Sequence, residues 1–513
     1  MEQKPQLDKI ELSTADWEGT PISVQQLVLA LWAENQELKA RLSALEEQIK
    51  QNSQNSSKPP SKDGFGVKPK AKKVKGERAR GGQSGHPGHE RKFHELTAES
   101  EIHEHLPSNC RVCGVELEGA DPQPYRHQVI EVPPITAKIT EHRLSCRTQP
   151  GGNLQVDAPL HQLDCPHCGE KTRAKLPSGV SAVGYGERLS ALVAWLSSDY
   201  RQSHGQLQQL LKQLFGIEIS VASINRLRQE MSLALESVVT VAHKYVQAQA
   251  QIHSDETSFD QGNCDGHNPK QQQGWLWVVV TKLISIFAVS LNRGQVTAKQ
   301  MIGEQYAGIV ISDRYSSYNW LSVEQRQVCW AHLKRDLTAI AERSGVSQTI
   351  GEALLKRQQR LFRWWHRVRD GTMSRTDFET AVVALRQGFK AELESAVQLP
   401  IGKHEKTPLA KTVRTCEQLL KIEPALWTFV STPGVEPTNN AAEQALRQAV
   451  IWRRTSFGSQ SLAGSQFVAR LLSVVTSLKA QQRDVWDFLT LVCQAARFDL
   501  PMPSLIPLDC PLP

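Results

Sequence analysis

Acids at the ends of apolar runs are the first residues able to do chemistry. AQIHSDE closes on Asp255, and AGIVIS runs directly into Asp313. Glu443 sits in PTNNAAEQALRQAVIWRR, where a helix-like pattern begins. Carboxylates held a few Å apart repel strongly unless cations intervene, and hard oxygen ligands suit Mg2+. Glu443 has a second reading. With Asn440 as N-cap it occupies the third helical position and completes a capping box. Local pattern does not separate the two roles. Arg447, one turn on, faces the same way, and Arg453 and Arg454 follow as candidate phosphate ligands. Cysteines form a second chemical group. NCRVCG and DCPHCG place Cys110, Cys113, Cys165 and Cys168 in two knuckles, each with Gly after the second Cys. Four thiolates complete one closed, structural Zn2+ site. Cys146 lies between the pairs and offers an alternative ligand.

Apolar patterning supplies the elements that must position the acids. Strands are expected at AQIHSDE, GWLWVVVTK, ISIFAVSL, AGIVIS and QVCWA, with helices over 296–305 and at HLKRDLTAI. Acids at the ends of the first and fourth strands of such an order match a ribonuclease H-like fold. There those two strands are neighbours, so Asp255 and Asp313 converge. A helical insertion over 344–432 separates this part from Glu443, within a catalytic domain of 248–500.

The remaining segments read as follows. Residues 22–51 form one helix in which Val24, Val28, Leu31, Asn35, Leu38, Leu42, Leu45 and Ile49 keep an a/d register. Such a register, with Asn at an a position, favours a two-stranded coiled coil and hence a homodimer or higher assembly. Residues 52–95 are a linker rich in Gly, Pro, Ser and Lys. Between Lys58 and Lys92 stand eleven Lys/Arg against three Asp/Glu, a local +8 in a chain of net +7. The positive charge thus belongs to one segment, and Lys68, Lys70, Lys72, Lys73 and Lys75 are its candidate DNA contacts. Residues 96–178 form the zinc-ribbon-like β unit, with HQVIEVPPI and KITEHRL as expected strands. Residues 184–245 are helical. GQLQQLLKQLF, Gly216 and VASINRLRQEM read as a helix-turn-helix-like unit, with Arg226 and Arg228 able to meet DNA. Residues 501–513 are a Pro-rich tail. The class is therefore multidomain α+β. At 513 residues, with 40% apolar and 22% charged residues, three or four folded units are expected and wholesale disorder is excluded. The N-terminus lacks an apolar signal core. The most apolar run, Trp275 to Leu291, carries Lys282 near its middle and suits two buried strands better than a membrane span. These features place the chain in the cytoplasm.

Together these residues carry a resemblance. HSDET, GWLWVVV, ISDRYSSYN, CWAHLKRD, and TNNAAEQALR followed by RR and SFGS resemble transposases of the insertion sequence 66 family, a branch of the DDE transposases. The zipper-like helix, NSSKPPSKDG, the basic linker and the knuckles fit too, so the resemblance covers about residues 25 to 490. It implies that Asp255, Asp313 and Glu443 form an acidic triad holding two Mg2+ ions. It also implies cleavage of double-stranded DNA at transposon ends, 3′-OH transfer into a target, accessory transposition proteins and a nucleoid-associated location. Cys329-x2-His332 resembles a pair that follows the second acid in several transposase groups. Core packing of its helix explains the pair equally well.

Overall fold

The computed structural model describes residues 17–50, 56–57, 181–507 and parts of 93–180. The five linker lysines, Cys146, Cys165 and Cys510 lie outside the described residues. The chain divides into two compact units, of which one comprises Lys70–Glu141 with Gln209–Glu218.

In that smaller unit the Cys110 N–H donates to Val115 O and the Gly114 N–H to Cys110 O. Gly114 takes the left-handed conformation, φ 73°, that this tight knuckle requires. HQVIEVPPI and KITEHRL form no strands among their described residues, contrary to the sequence reading. Val129, Val132 and Ile139 there are mostly exposed, so no sheet neighbour buries their alternating side chains. Strands are found further on, in the larger unit. β1 (Leu154–Gln155), β2 (Gln162–Asp164) and β3 (Lys171–Arg173) form an antiparallel sheet.

In the larger unit, α1 (Ile22–Lys50) exposes Val24, Leu31, Leu38, Leu42 and Leu45 of its apolar register. Next come α2 (Glu187–Ser198), α3 (His204–Phe215), whose residues from Gln209 on belong to the smaller unit, and α4 (Val221–Gln247). Gly216, at φ 65°, ends α3 in a left-handed cap, its N–H donating to Lys212 O and that of Ile217 to Leu211 O. Ser220 Oγ caps α4 by accepting from Ser223 N. The second helix of the expected pair ends at Met231 in the sequence reading. Instead α4 runs on to Gln247, 27 residues in all, because its apolar face stays buried through Leu235, Val238, Ala242 and Val246.

The central sheet comprises β4 (Gln251–Ser258), β5 (Trp275–Val280), β6 (Ser285–Ser290), β7 (Ile309–Ser312) and β8 (Arg326–Val328), in the order β6-β5-β4-β7-β8. The first three strands are antiparallel, whereas β7 and β8 run parallel to β4. β5 and β6 do form a hairpin, although no Gly or Asn marks it. Thr281 closes the turn, its N–H and Oγ1 both donating to Ile284 O. α5 (Gln295–Ile302) leads to β7, and α6 (Trp330–Ala341) leaves β8. Trp330 and Ala331 were expected in the strand QVCWA, but they open α6. Trp330 is fully buried there and donates Nε1–H to Leu426 O.

Helices α7 (Val346–Arg369), α8 (Arg375–Val397) and α9 (Pro408–Lys421) then build a second core. Trp330 joins it, with ring centroids 5.6 Å from Phe389 and 5.2 Å from Trp427. The chain returns as α10 (Asn440–Ser456), α11 (Leu462–Ala480) and α12 (Val485–Phe498). α11 covers the outer strand β6. Ser473 and Ser477, one turn apart, accept from the free N–H groups of Phe287 and Ser285 at 2.8 and 3.0 Å. That satisfies an edge otherwise open to another strand. Arg497 of α12 bonds Glu230 of α4 and Glu187 of α2, locking three helices together. Past α12, Leu505 and Ile506 are buried in the main core, so the start of the Pro-rich tail is packed.

Candidate active site

β4 and β7 are parallel neighbours, with His253 opposite Ile311. Their carboxyl ends therefore share one edge of the sheet. Asp255 is the fifth of the eight residues of β4, two past the last pair with β7. The strand thus continues beyond the acid on which the sequence reading ended it. Asp313 follows β7 directly. Each has one backbone donor. Asp255 Oδ1 accepts from Glu256 N and Asp313 Oδ1 from Tyr315 N, both at 2.9 Å. Burial pushes the Asp255 carboxyl well above its usual range, and repulsion from Glu256, Asp313 and Glu443 pushes it further. Burial also raises Asp313, opposed by the Tyr315 N–H and by Arg293, Arg326 and Arg314.

Glu443 arrives on the first turn of α10. Burial raises its carboxyl, Asp313 adds to the rise, and Arg335 and Arg447 oppose it. The capping box does not form. Asn439, not Asn440, is the N-cap, so Glu443 falls one position too late. The Asn439 side chain is committed elsewhere and makes no cap bond. Its Nδ2 donates to Ser254 O at 2.8 Å, and its Oδ1 lies 3.1 Å from His253 Nδ1. Its backbone N–H meets Cys329 Sγ at 3.1 Å. One fully buried asparagine thus ties the start of α10 to β4 beside Asp255 and to the residue before α6. Asn439→Ala should cost about 1–3 kcal/mol, the penalty for leaving buried partners unpaired. Urea unfolding measures this, and an unchanged midpoint would contradict the role.

Among the described residues, Cys329, His332 and Glu443 form a cluster whose ligand atoms all lie within 4.8 Å of one another. His332 Nδ1 is 3.4 Å from Glu443 Oε1, yet neither atom has a hydrogen-bond partner. Burial, helped by Arg335, pushes the His332 pKa down to about 4, so the ring is neutral near pH 7 and the contact is no ion pair. Cys329 is buried and its thiol pushed up to about 11. A neutral imidazole and an unpaired carboxylate oxygen form a donor set suited to a divalent cation, as do the buried, mutually repelling Asp255 and Asp313.

Glu256 extends the site from the opposite face of β4. Its carboxylate accepts from Tyr318 Oη–H at 2.8 Å and from Arg293 Nε at 3.1 Å. Burial and Asp313 raise its pKa to about 7 against these two donors. Arg293 is held between the rings of Trp275 and Tyr315, 4.3 and 3.9 Å from their centroids. The sequence reading passed over Glu256, Arg293 and Asn439. Strand alternation flags Glu256 as an acid facing inward. Arg293 and Asn439 carry no local signal.

The candidate DNA ligands fare differently. Arg226 and Arg447 are exposed. Arg228 is folded down. It lies over the Phe467 ring at 4.1 Å and against His204, and burial lowers its pKa to about 10. Arg453 is turned inward too, donating to Thr257 Oγ1, Ser258 Oγ and Ser258 O, which fastens α10 to the end of β4. Arg454 is exposed. In the knuckle, the N–H groups of Cys113 and Val112 lower the Cys110 thiol to about 7, which favours the metal-binding thiolate. Cys168 is exposed.

No described helix is long and apolar enough to cross a membrane. A family model described as a family of unknown function matches residues 10–92. An uncharacterized protein of Sinorhizobium fredii (strain NBRC 101917 / NGR234), y4qI, is 23% identical over 301 residues. The alignment covers 54% of this chain and 53% of that protein, so the chain spans about half the length of the relative it matches. The family model for the IS66 transposases matches residues 183–467, a stretch that holds Asp255, Asp313, Asn439 and Glu443. Since that match extends over more than half of the sequence, the chain belongs to the IS66 family of transposases.

Proposed function

We propose that this chain is a DDE transposase with a ribonuclease H-like core. In this reading it cuts the ends of its own element and joins the freed 3′-OH to target DNA. The observation that carries the reading is the parallel pairing of β4 with β7, which puts Asp255 and Asp313 at one sheet edge, electrostatically coupled to Glu443. A strand order of 3-2-1-4-5 with one acid in strand one and another directly after strand four supports the ribonuclease H-like assignment.

Asp255, Asp313 and Glu443 are the residues that would hold two Mg2+ ions. When bound, such ions offset the carboxylates' charge and supply Lewis acidity to a phosphodiester. The chain's own part is positioning. Asn439 and Arg453 fix α10 against β4, and Arg293 and Tyr318 hold Glu256 behind Asp255. The buried setting strengthens every electrostatic contact made there. In the reaction proposed, water adds to phosphorus while the 3′ oxygen leaves with a proton. The 3′-OH then displaces a 3′ oxygen of target DNA. Arg226, Arg447, Arg454 and the linker lysines would meet phosphates, and the site of action would be the nucleoid. Incubating the full chain with Mg2+ and DNA from the ends flanking its own gene should give cuts at those ends. Uniform, sequence-independent nicking would favour a plain nuclease.

The partner and zinc assignments belong to the same proposal. An exposed a/d stripe on α1 is apolar surface that a second copy would bury. Deleting residues 1–51 should convert dimers or larger species to monomers by light scattering. An unchanged mass distribution would exclude α1 as the contact. One Zn2+ per chain on Cys110, Cys113, Cys165 and Cys168 would be structural. Elemental analysis should find it in the wild type and find it lost in Cys113→Ser and in Cys168→Ser. Full occupancy in both variants would reject this ligand set.

A further inference from the structure

α6 presents two faces. Trp330, Leu333, Leu337 and Ile340 are buried in the core. His332, Arg335, Asp336 and Ala339, at helical spacing, line a cleft of about 870 Å3 that also contains Asp313 and Lys421. The cleft walls carry four cations, Arg314, Arg326, Arg335 and Lys421, against Asp313 and Asp336. Two of the cations are committed. Arg314 Nε pairs with Asp336 at 2.5 Å, and its Nη1 donates to Gln418 at 3.0 Å. Arg326 is almost wholly buried and donates to Asn319 Oδ1 at 3.2 Å, while its Nε has no partner among the described residues.

Arg335 is different. Among the described residues no hydrogen bond or ion pair fixes its guanidinium, although it acts electrostatically on both Glu443 and His332. An unpaired, half-buried guanidinium beside a carboxylate cluster offers a planar fork to an oxyanion. A cleft with surplus positive charge that opens onto Asp313 suits an extended polyanion.

We propose that this cleft takes the sugar–phosphate backbone of the strand being cut, and that Arg335 holds a phosphate adjoining the carboxylate site. The proposal rests on the transposase reading above. It makes Arg335 a substrate-touching residue, and Arg335 is not among the basic residues that the sequence singled out.

The test uses the full chain and end DNA carrying one neutral methylphosphonate at each of three phosphates on either side of the cut. Arg335→Gln should cleave about a hundredfold more slowly in single-turnover assays, the loss typical of removing one charge-stabilising donor. Arg335→Lys should recover only part, since an ammonium lacks the fork. At one phosphate the methylphosphonate should slow the wild type but slow Arg335→Gln no further. Wild-type cleavage by Arg335→Gln would overturn the proposal. So would a slow variant that keeps the wild-type sensitivity at every phosphate, because Arg335 would then act only through Glu443. Circular dichroism checks folding, and if Arg335→Gln is unfolded, the Arg335→Lys profile decides. The same scan read as binding in Ca2+ separates the two claims. A wild type that binds but never cleaves contradicts the transposase reading, whereas the loss of one phosphate's contribution in Arg335→Gln still stands for the cleft.

Discussion

Asp255→Asn should lower Mg2+-dependent cleavage of end DNA by at least about a thousandfold and at the same time raise the melting temperature of the metal-free protein. The rate loss follows from removing a charge that, in the proposed site, would hold the cations in place, since several kcal/mol of transition-state stabilisation convert to that factor. The gain in stability follows from the site's electrostatics. Asp255 is buried, and Glu256, Asp313 and Glu443 all repel its charge. An amide of the same shape keeps the volume and removes the repulsion. Asp313→Asn should behave alike, with a smaller gain, because the Tyr315 N–H and three arginines already favour its charged form. Single-turnover cleavage measures the first effect and thermal unfolding in EDTA the second. Equal losses of stability and activity would mean that Asp255 is merely a structural residue.

Glu443→Gln separates two explanations of the same side chain. As a helix cap, Gln would serve as well as Glu, and even complete loss of a cap costs only about 1 kcal/mol. The structure removes that role, since Glu443 lies beyond the third helical position and its carboxylate lies beside His332. As a cation ligand, Glu443 supplies a charge that Gln lacks. The variant should keep its melting temperature and its binding to end DNA, yet cleave at least about a thousandfold more slowly. Near-normal cleavage would remove Glu443 from the site.

How much of this was legible in the sequence depends on the range of the interaction. Alternation and apolar runs are local, so the five sheet strands and their acids could be read directly. Helix α1 and the long helices before α10 were legible for the same reason. Features set by distant partners were not. Trp330 looks like strand from its neighbours, but the pocket formed with Phe389 and Trp427 makes it the first residue of α6. HQVIEVPPI has strand composition, but no strand pairs with it among the described residues. Asn440 looked like the cap because Glu443 follows three residues later. Asn439 holds the N-cap position because its side chain reaches Ser254, 185 residues away. Arg228 and Arg453 looked available on their helices, and only tertiary packing shows them turned inward.

Asp255, Asp313 and Glu443 are proposed to share one divalent-cation site. Iron-mediated cleavage of the polypeptide tests this most directly. Fe2+ replaces Mg2+ in the purified full chain, ascorbate and peroxide are added, and the fragments are mapped by mass spectrometry. Backbone cuts are expected close to residues 255, 313 and 443, suppressed by excess Mg2+ and absent in Asp255→Asn. Cuts confined to the neighbourhood of Cys329, His332 and Glu443, unchanged in Asp255→Asn, would contradict a shared site.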